Sequence, residues 1–433
     1  MNYHLVCGAE IHVELSTKSK MFCGCKNDPF GAEKPNIYTC PVCLGMPGGL
    51  PVPNQQAIED TILIGLAFHC EIAAESYFER KHYFYPDLPK SYQISQKDQP
   101  LCLGGYVDTS YGRVRLNHIH LEEDAAKMQH AVVNGRRVSL IDYNRGGVPL
   151  VEIVTEPDIK SPEMAKEFLK KVRDIIRALG VSSCDMEKGS MRLEANISLS
   201  RDGSLPSYKV EVKNINSFRF FALSMEYESV RQAELLDRGE TPVQETRGFR
   251  QATGSTVSQR GKEGLADYRY MPDPDIPPLA ISPQQVDAIR TRLPVLPEEQ
   301  IKALVGAGVS QSAAEIVVKD AGAMDFIEQV KKLNSKMVQK ASNDLVNKKI
   351  VLGKITAAEY LQSLATAVST KLTDPATLTP IIEKIVADNS KVVADYKAGK
   401  QNALGFLVGA VMKATAGKAD PQAVSALLRN LLN

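Results

Sequence analysis

The 433-residue chain lacks tryptophan, and it lacks any long hydrophobic run. Nothing follows from the missing tryptophan. No stretch of about 18 or more apolar residues occurs, so we expect no membrane-spanning helix and no membrane partner. The first residues, 1–4, do not form a basic segment followed by an apolar one, so we expect no secretory leader. These absences predict a soluble cytoplasmic protein.

Two familiar catalytic arrangements are also missing. The pattern G-x-x-x-x-G-K-[ST] does not occur, which excludes a P-loop nucleotide site. The chain has no Ser-Ser-Lys set and no positioned cysteine nucleophile, so it does not look like a self-sufficient glutamine amidase. With 43% hydrophobic and 24% charged residues, the chain has enough apolar content for two or three domains.

The charge is unevenly distributed along the chain. The net charge is only +1, but residues 330–433 contain 15 Lys/Arg and 7 Asp/Glu, so the remainder is acidic. A basic tail on an acidic body suggests that the tail meets a polyanion while the body holds a metal and the chemistry. The alternative is that the lysine-rich helices serve only solubility.

Four of the eight cysteines form two short-spaced pairs. Cys23 and Cys25 precede a loop, and Cys40 and Cys43 follow it. Two such pairs are what a tetrahedral Cys₄ zinc site requires, and four thiolates leave no open position for catalysis. We therefore predict a structural zinc knuckle over residues 23–43. The other cysteines are isolated in apolar surroundings and are expected in the core.

Two acidic clusters are candidates for a metal site. Near the N-terminus, polar and apolar residues alternate, so a strand would place Glu10, His12 and Glu14 on one face. The second cluster lies between His118 and Lys127 and contains Glu122, Glu123 and Asp124. Mg²⁺ prefers oxygen ligands, which two acidic strands facing each other would supply. A solvated charged loop after an edge strand is the alternative.

Further polar strands could line a pocket. The alternation places Arg192, Glu194 and Asn196 on one strand face, and Glu211 and Lys213 share a face of the next strand. An exposed antiparallel face would show the same pattern. The glycine-rich turn at 144–147 would let backbone approach a ligand, and Arg145 lies within it. Basic and aromatic residues interleave over 77–96, which suits phosphate and base contacts or simple packing.

The pattern of elements predicts an α+β fold. We expect a sheet-based cradle over residues 1–290, covered by helices at 161–180 and 222–238, with the zinc knuckle inserted. An all-α helical domain over 291–372 and a helical tail over 373–433 should follow. Gly405 and Gly409 are expected to allow close helix packing in the tail.

Long motifs in collinear order resemble one known family, the B subunit of aspartyl-tRNA(Asn)/glutamyl-tRNA(Gln) amidotransferase. The motifs cover nearly the whole chain and are highly specific. They are E-I-H-V-E-L, C-P-V-C-L-G-M-P-G, R-K-H-Y-F-Y-P-D-L-P-K-S-Y-Q-I-S-Q, H-L-E-E-D-A-A-K, N-R-G-G-V-P-L-V-E-I-V-T-E-P-D, V-K-N-I-N-S-F, Q-E-T-R, D-Y-R-Y-M-P-D-P-D-I-P-P and G-F-L-V-G-A-V-M-K-A-T.

The resemblance implies an enzyme that works in a heterotrimer. A separate glutaminase (amidase) would release ammonia from glutamine, and a small third protein would join the other two. The B subunit would use ATP and Mg²⁺ to phosphorylate the side-chain carboxylate of Glu or Asp on tRNA(Gln) or tRNA(Asn). Ammonia would then displace phosphate. A non-catalytic zinc-stabilised tRNA-binding scaffold is the competing hypothesis.

The resemblance also implies roles for individual residues. Glu10, His12 and Glu123 look like the Mg²⁺ site, with Glu122 and Asp124 nearby. The pocket for ATP, the aminoacyl group and ammonia would be formed by Asp142, Arg145, Glu152, Arg192, Glu194, Asn196, Glu211 and Lys213. The four paired cysteines match the zinc-bearing branch of the family. The basic tail resembles a tRNA-reading tail.

Overall fold

The computed structural model describes residues 3–261, 268–369, 372–398, 400 and 402–432. The chain divides into two compact units, Met1–Glu299 and Gln300–Asn433. No helix among the described residues is both long enough and apolar enough to cross a membrane.

The strands and four helices precede Arg292. The described strands are β1 (His4–Glu14), β2 (Glu71–Ile72), β3 (Glu75–Ser76), β4 (Glu79–His82), β5 (Tyr92–Ser95), β6 (Cys102–Leu103), β7 (Tyr106–Thr109), β8 (Gly112–Glu123), β9 (Lys127–Val133), β10 (Arg136–Asp142), β11 (Pro149–Thr155), β12 (Met191–Ser200), β13 (Val210–Ile215), β14 (Glu245–Arg250), β15 (Ser255–Gly261), β16 (Met271–Pro272) and β17 (Leu279–Ala280). The helices are α1 (Gln55–Ala67), α2 (Pro162–Leu179), α3 (Phe218–Asp237) and α4 (Pro283–Arg290).

The first unit is built around a large mixed sheet, and β1 lies near the centre of that sheet. The strand order is β15-β14-β13-β12-β1-β11-β8-β6-β2, and β7 also pairs with β8. Only the β13–β14 pair is parallel within the described part of this sheet. Because β1 lies between β11 and β12, the residues of the first strand are placed at the middle of the sheet.

One face of the central sheet is apolar and fully covered. Ile11, Ile153, Leu193 and Ile119 come from four adjacent strands, and each is at most 1% exposed. Helices α1, α2 and α3 contact strands of this sheet. Burying this face against the helices leaves the alternate residues of the same strands on the opposite face. The predicted α+β body with covering helices is therefore confirmed.

The ends of the covering helices follow from local sequence. Ser161 caps α2 by accepting a hydrogen bond from the backbone N–H of Met164, and Pro162 occupies the first turn. Gly180 ends α2 in a left-handed conformation with φ 73°. Helix α3 begins at Phe218, four residues before the predicted start, because Ser217 supplies the cap.

Three smaller sheets complete the first unit. Strands β16, β4 and β5 form a three-stranded sheet, β17 pairs with β3, and β9 pairs with β10 as a two-stranded ribbon. The three-stranded sheet contacts the large sheet, because β5 packs against β8. It therefore brings residues of the basic and aromatic segment 77–96 to the end of β8.

From Pro297 onward the described chain is helical, as predicted. The helices are α5 (Pro297–Gly306), α6 (Gln311–Val318), α7 (Ala321–Leu333), α8 (Val338–Val346), α9 (Ala357–Ser369), α10 (Pro375–Asp388), α11 (Ser390–Lys397), α12 (Asn402–Ala414) and α13 (Pro421–Leu432), with a 3₁₀ turn at Ser335–Met337. Their apolar residues form two clusters, one within 301–364 and one within 372–432.

The expected packing role of two tail glycines is wrong. A Cβ atom at Gly405 or Gly409 would meet nothing within 4 Å. Both glycines face away from the apolar cluster of α12, in which Leu407 and Val411 are fully buried. The helical period separates these two faces, so the glycines do not mediate the packing of α12.

Candidate functional site

The polar face of the large sheet carries a row of charged side chains. Backbone register places His120 of β8 opposite Glu152 of β11, Glu152 opposite His12 of β1, and His12 opposite Arg192 of β12. We call these four residues the polar row. Directly opposed residues in a sheet place their side chains on the same face, so four strands contribute to one site.

The two histidines of the polar row lie close to the carboxylates of Glu152 and Glu122. Nε2 of His12 lies 3.5 Å from Oε2 of Glu152, and Nε2 of His120 lies 3.3 Å from the same oxygen. Glu122 lies 3.9 Å from His12 and 3.7 Å from His120. Ligand atoms of His12, Glu122 and Glu152 all lie within 4.8 Å of one another. We call His12, His120, Glu122 and Glu152 the histidine–carboxylate group.

The electrostatics of this group favour positive charge. Burial opposes protonation of His12, but the carboxylates of Glu152, Glu194 and Glu122 outweigh it and raise its pKa to about 9. His120 behaves in the same way, since Glu152 and Glu122 overcome burial and raise its pKa to about 9. The carboxylates that raise these pKa values would also attract a divalent cation, and a metal bound by a histidine nitrogen would replace the proton there.

A second acidic group lies on the other side of β1. Ligand atoms of Glu10, Glu194 and Glu211 lie within 4.8 Å of one another. Nζ of Lys213 lies 2.8 Å from Oε2 of Glu194 and 3.4 Å from Oε1 of Glu211, and Asn196 donates a 2.7 Å hydrogen bond to Glu10. Burial and then the neighbouring carboxylates of Glu152 and Glu194 raise the pKa of Glu10. Five of the predicted site residues therefore meet here.

Arginines partly neutralise the acidic groups beyond the histidine–carboxylate group. Nη1 of Arg192 lies 2.9 Å from Oδ2 of Asp124, and Nε of Arg145 lies 3.6 Å from the same oxygen. Burial alone would raise the pKa of Asp124, but Arg192 and Arg145 lower it. Burial and the Asp124 carboxylate raise the pKa of the neighbouring Glu14 to about 9. Arg145 also donates to the backbone carbonyls of residues 125 and 126.

Glu123 points away from the two acidic groups. It accepts a 2.6 Å hydrogen bond from Nζ of Lys90 and a 3.0 Å bond from the backbone N–H of Ile94. Glu122, one residue earlier in β8, lies in the histidine–carboxylate group. The structure therefore does not place Glu123 with Glu10 and His12, the other two residues of the predicted Mg²⁺ set.

Asp142 also lies outside the polar face. It ends β10, and its Oδ1 accepts hydrogen bonds from the backbone N–H groups of Asn36 at 3.1 Å and Asn144 at 2.9 Å. These contacts fix the base of the β9–β10 ribbon against the cysteine-bearing segment. The contacts of Asp142 therefore stabilise the local fold.

The site residues predicted from the sequence do not include two residues that the structure adds to the site. His120 belongs to the histidine–carboxylate group, and alternation from His118 through His120 to Glu122 was the available signal. Lys81 of β4 feels the carboxylates of Glu122 and Glu152, which raise its pKa against the effect of burial. Its Nζ lies 5.0 Å from the ring centroid of Tyr268. No local pattern would have singled out Lys81 within its basic segment.

The four paired cysteines come together as predicted. Their sulfur atoms all lie within 4.8 Å of one another, and the Sγ atoms of Cys40 and Cys43 are 3.8 Å apart. Four sulfurs at about 2.3 Å from a tetrahedral zinc ion are about 3.8 Å apart, so the arrangement fits that ion. The hydrogen bond with Cys23 lowers the pKa of Cys43 to about 5, against the effect of burial. A thiolate is the form that a metal binds.

Comparison with known proteins agrees with this architecture. The profile described as the GatB/GatE catalytic domain matches residues 5–287, which include the large sheet and the cysteine cluster. The profile described as the GatB domain matches residues 321–432 of the helical region. The fold and site thus define a protein with a GatB/GatE catalytic domain, and the chain belongs to the GatB family. The predicted resemblance is confirmed.

Curated relatives extend over the same length. The chain is 42% identical to the B subunit of the aspartyl/glutamyl-tRNA(Asn/Gln) amidotransferase of Dehalococcoides mccartyi (strain ATCC BAA-2266 / KCTC 15142 / 195), covering 99% of each chain. It is 40% identical to the proteins of the same name from Thermomicrobium roseum and Thermotoga maritima, covering 100% of this chain and 99% of each relative. A catalytic-domain match over the first unit supports the enzyme hypothesis over the scaffold hypothesis.

Proposed function

We propose that this chain activates and amidates an amino acid carried on tRNA, as the B subunit of an aspartyl/glutamyl-tRNA(Asn/Gln) amidotransferase. The substrates would be Glu-tRNA(Gln), Asp-tRNA(Asn) or both, and the products Gln-tRNA(Gln) and Asn-tRNA(Asn). The observation that carries the proposal is the pair of acidic groups on one sheet face with Arg192, Lys213 and Lys81 beside them.

The proposed reaction has two steps. A side-chain carboxylate oxygen attacks the γ-phosphorus of ATP, and ADP leaves to give an acyl phosphate. Ammonia then attacks the acyl carbon, the bond to the phosphate oxygen breaks, and an amide and inorganic phosphate result. The first step concentrates negative charge on the transferring phosphoryl group, so it needs a metal and basic side chains around it.

The residues of the polar face suit these demands. The histidine–carboxylate group would hold Mg²⁺, which would neutralise charge on the phosphate oxygens. Arg192 and Lys213 would orient phosphate or the substrate carboxylate, because both project from strands beside the acidic groups. The three-carboxylate group of Glu10, Glu194 and Glu211 would attract ammonium and accept its proton, and the ammonia formed would then react.

The partners follow from the same proposal. A glutaminase (amidase) partner would supply ammonia, and a small third protein would complete the heterotrimer. The misacylated tRNA would contact the basic tail, residues 373–433. Zinc would bind Cys23, Cys25, Cys40 and Cys43 and serve a structural role. All of these components belong in the cytoplasm.

Replacing one ligand of the histidine–carboxylate group tests the proposal. We expect Glu152→Gln in the reconstituted heterotrimer to lower misacylated-tRNA-dependent ATP hydrolysis by more than about 100-fold, because a metal-binding charge is lost at the reacting phosphate. Glu123→Gln should have a smaller effect, since Glu123 pairs with Lys90 outside the two acidic groups. Hydrolysis of ATP is measured with and without Glu-tRNA(Gln).

Glu156→Gln is the matched control. Glu156 follows β11, lies outside both acidic groups and accepts a 2.7 Å hydrogen bond from Asn117, which glutamine preserves. Its activity should stay within a few-fold of wild type. If Glu152→Gln retains full tRNA-dependent turnover and still binds tRNA, the polar face is not the phosphorylation site and the scaffold hypothesis returns.

A further inference from the structure

Lys20 is a lysine with no exposed surface, and it adjoins the cysteine cluster. Its side chain is among the largest fully buried side chains in the described part of the protein. Nζ lies 3.9 Å from Sγ of Cys43 and donates a 2.9 Å hydrogen bond to the backbone carbonyl of Tyr143. Among the residues that the structure describes, no carboxylate forms an ion pair with it. A buried ammonium with this environment requires an anionic partner.

The cysteine cluster can supply that negative charge once it binds a metal. Four thiolates around one divalent ion leave a net charge of about −2. The backbone N–H of Cys40 donates a 3.1 Å hydrogen bond to Sγ of Cys43, and Lys20 approaches the same sulfur. Groups that donate to ligand atoms of a metal site stabilise the charge of the complex and orient the ligands.

We propose that Lys20 is the buried counter-cation of the four-thiolate zinc site and connects it to the turn that carries Arg145. The proposal assigns a specific partner to the zinc complex, and it concerns the cysteine cluster alone, so it does not depend on the proposed amidotransferase activity.

The backbone supports this connection. The N–H of Met21 donates a 2.7 Å hydrogen bond to the carbonyl of Gly147, and Lys20 bonds to Tyr143 at the other end of the same turn. A Cβ atom at Gly147 would lie 3.6 Å from the Cβ of Cys43 and 3.9 Å from Oε2 of Glu123. Gly147 therefore separates the zinc site from β8 by a single backbone segment. Zinc binding would order residues 143–147 through Lys20.

Replacing the charge of Lys20 tests the proposal in the full-length chain. Lys20→Met should weaken zinc binding about 10- to 100-fold, as loss of a partner beyond the metal ligands typically does. Zinc affinity is measured by competition with a chromogenic chelator, and the cobalt-substituted protein reports thiolate geometry by its visible absorption. Lys18→Met is the matched control, because Lys18 is exposed on the same segment.

Thermal unfolding with and without zinc separates the proposed role from simple packing. Zinc should raise the Tm of wild type more than that of Lys20→Met, because only wild type has a cation beside the charged zinc complex. Without zinc, Lys20→Met should lose little or no stability, since the metal-free cluster carries less negative charge than the four-thiolate complex. Equal destabilisation in both states, or unchanged zinc affinity, would overturn the proposal.

Amide hydrogen exchange tests the connection to the turn. Removing zinc should accelerate exchange over residues 143–148 in wild type, and it should have little further effect in Lys20→Met. If Lys20→Met does not fold, Lys20→Gln is measured instead, because an amide can keep a donor toward the Tyr143 carbonyl while removing the charge. Wild-type zinc affinity in Lys20→Gln would equally overturn the proposal.

Discussion

The carboxylate of Glu228 is buried, and ion pairs and hydrogen bonds compensate its charge. It lies in α3 with no exposed surface, and its carboxylate contacts Arg231 at 2.7 Å and Arg247 at 3.1 Å. Gln232 donates a 2.9 Å hydrogen bond to it, and the hydroxyl of Thr256 donates another. Helix α3 is thereby joined to strands β14 and β15.

Glu228→Gln should lower the free energy of unfolding by about 3 kcal/mol, because two arginines lose their buried partner. Despite the opposing effect of burial, Arg231 and the other donors hold the pKa of Glu228 below its ordinary value of 4.5. Its stabilising contribution is therefore complete above about pH 4.5 and is lost as the pH falls through the lower folded value. Urea unfolding at several pH values between 3 and 7 measures both effects.

Glu226→Gln is the control for this prediction, since Glu226 is exposed on the same helix two residues earlier. Its stability should differ from that of wild type by less than about 0.5 kcal/mol at any pH in the range. Equal losses in the two variants would mean that the Glu228 contacts contribute nothing specific.

The alternation within one strand was enough to predict on which face of the sheet some individual site residues lie. Alternation in β1 placed Glu10 and His12 on one face, and both lie there. The same rule applied from His118 and His120 selects Glu122 for the polar face, whereas Glu123 was chosen from the family resemblance. The contact of Glu123 with Lys90 depends on β5 packing against β8, which no local pattern contains.

At the scale of elements, the end of α2 depends on one backbone conformation. Gly180 has φ 73°, and a Cβ atom there would meet nothing within 4 Å. Gly180→Ala should therefore lower the free energy of unfolding by about 1 kcal/mol from backbone strain alone.

Gly409→Ala should have the opposite effect, because Gly409 lies inside α12 in open space. Alanine should stabilise that helix by up to about 1 kcal/mol. Chemical denaturation of both variants checks the two signs.

Helices were easier to predict from sequence than strand neighbours. Ser161, Pro162 and Gly180 mark the ends of α2 within the sequence itself. The pairing of His12 with Glu152 joins residues far apart in the chain, and it follows from the register of β1 with β11. Register depends on which apolar faces pack together, so the alternation within one strand does not reveal its partners.

At the scale of the whole molecule, the basic tail is proposed to meet the phosphates of tRNA. Lys391 and Lys397 are exposed on α11. Replacing both with glutamine should weaken tRNA binding and lower the slope of log affinity against log salt by about one for each phosphate that is no longer neutralised. Binding of the heterotrimer to tRNA between 50 and 200 mM KCl, about the range in which such slopes are resolved, measures this.

Lys166→Gln with Lys170→Gln is the matched control. These two lysines are exposed on α2 in the first unit, so the change in net charge is the same. An equal loss of tRNA affinity in both double variants would show that overall charge, and not the tail, governs binding. The composition of the chain shows that the tail is basic and the rest is acidic, but it does not identify which lysines would face RNA.

The central position of β1 has a consequence for synthesis of the chain. This strand is synthesised well before its neighbours β11 and β12, which end only at Thr155 and Ser200. Its apolar side, including Ile11 and Val13, remains without its sheet partners until that much of the chain has been translated. Contacts of such long sequence separation form slowly and leave early segments open to aggregation. The nascent protein should therefore depend on chaperones that hold β1 until β11 and β12 have been synthesised.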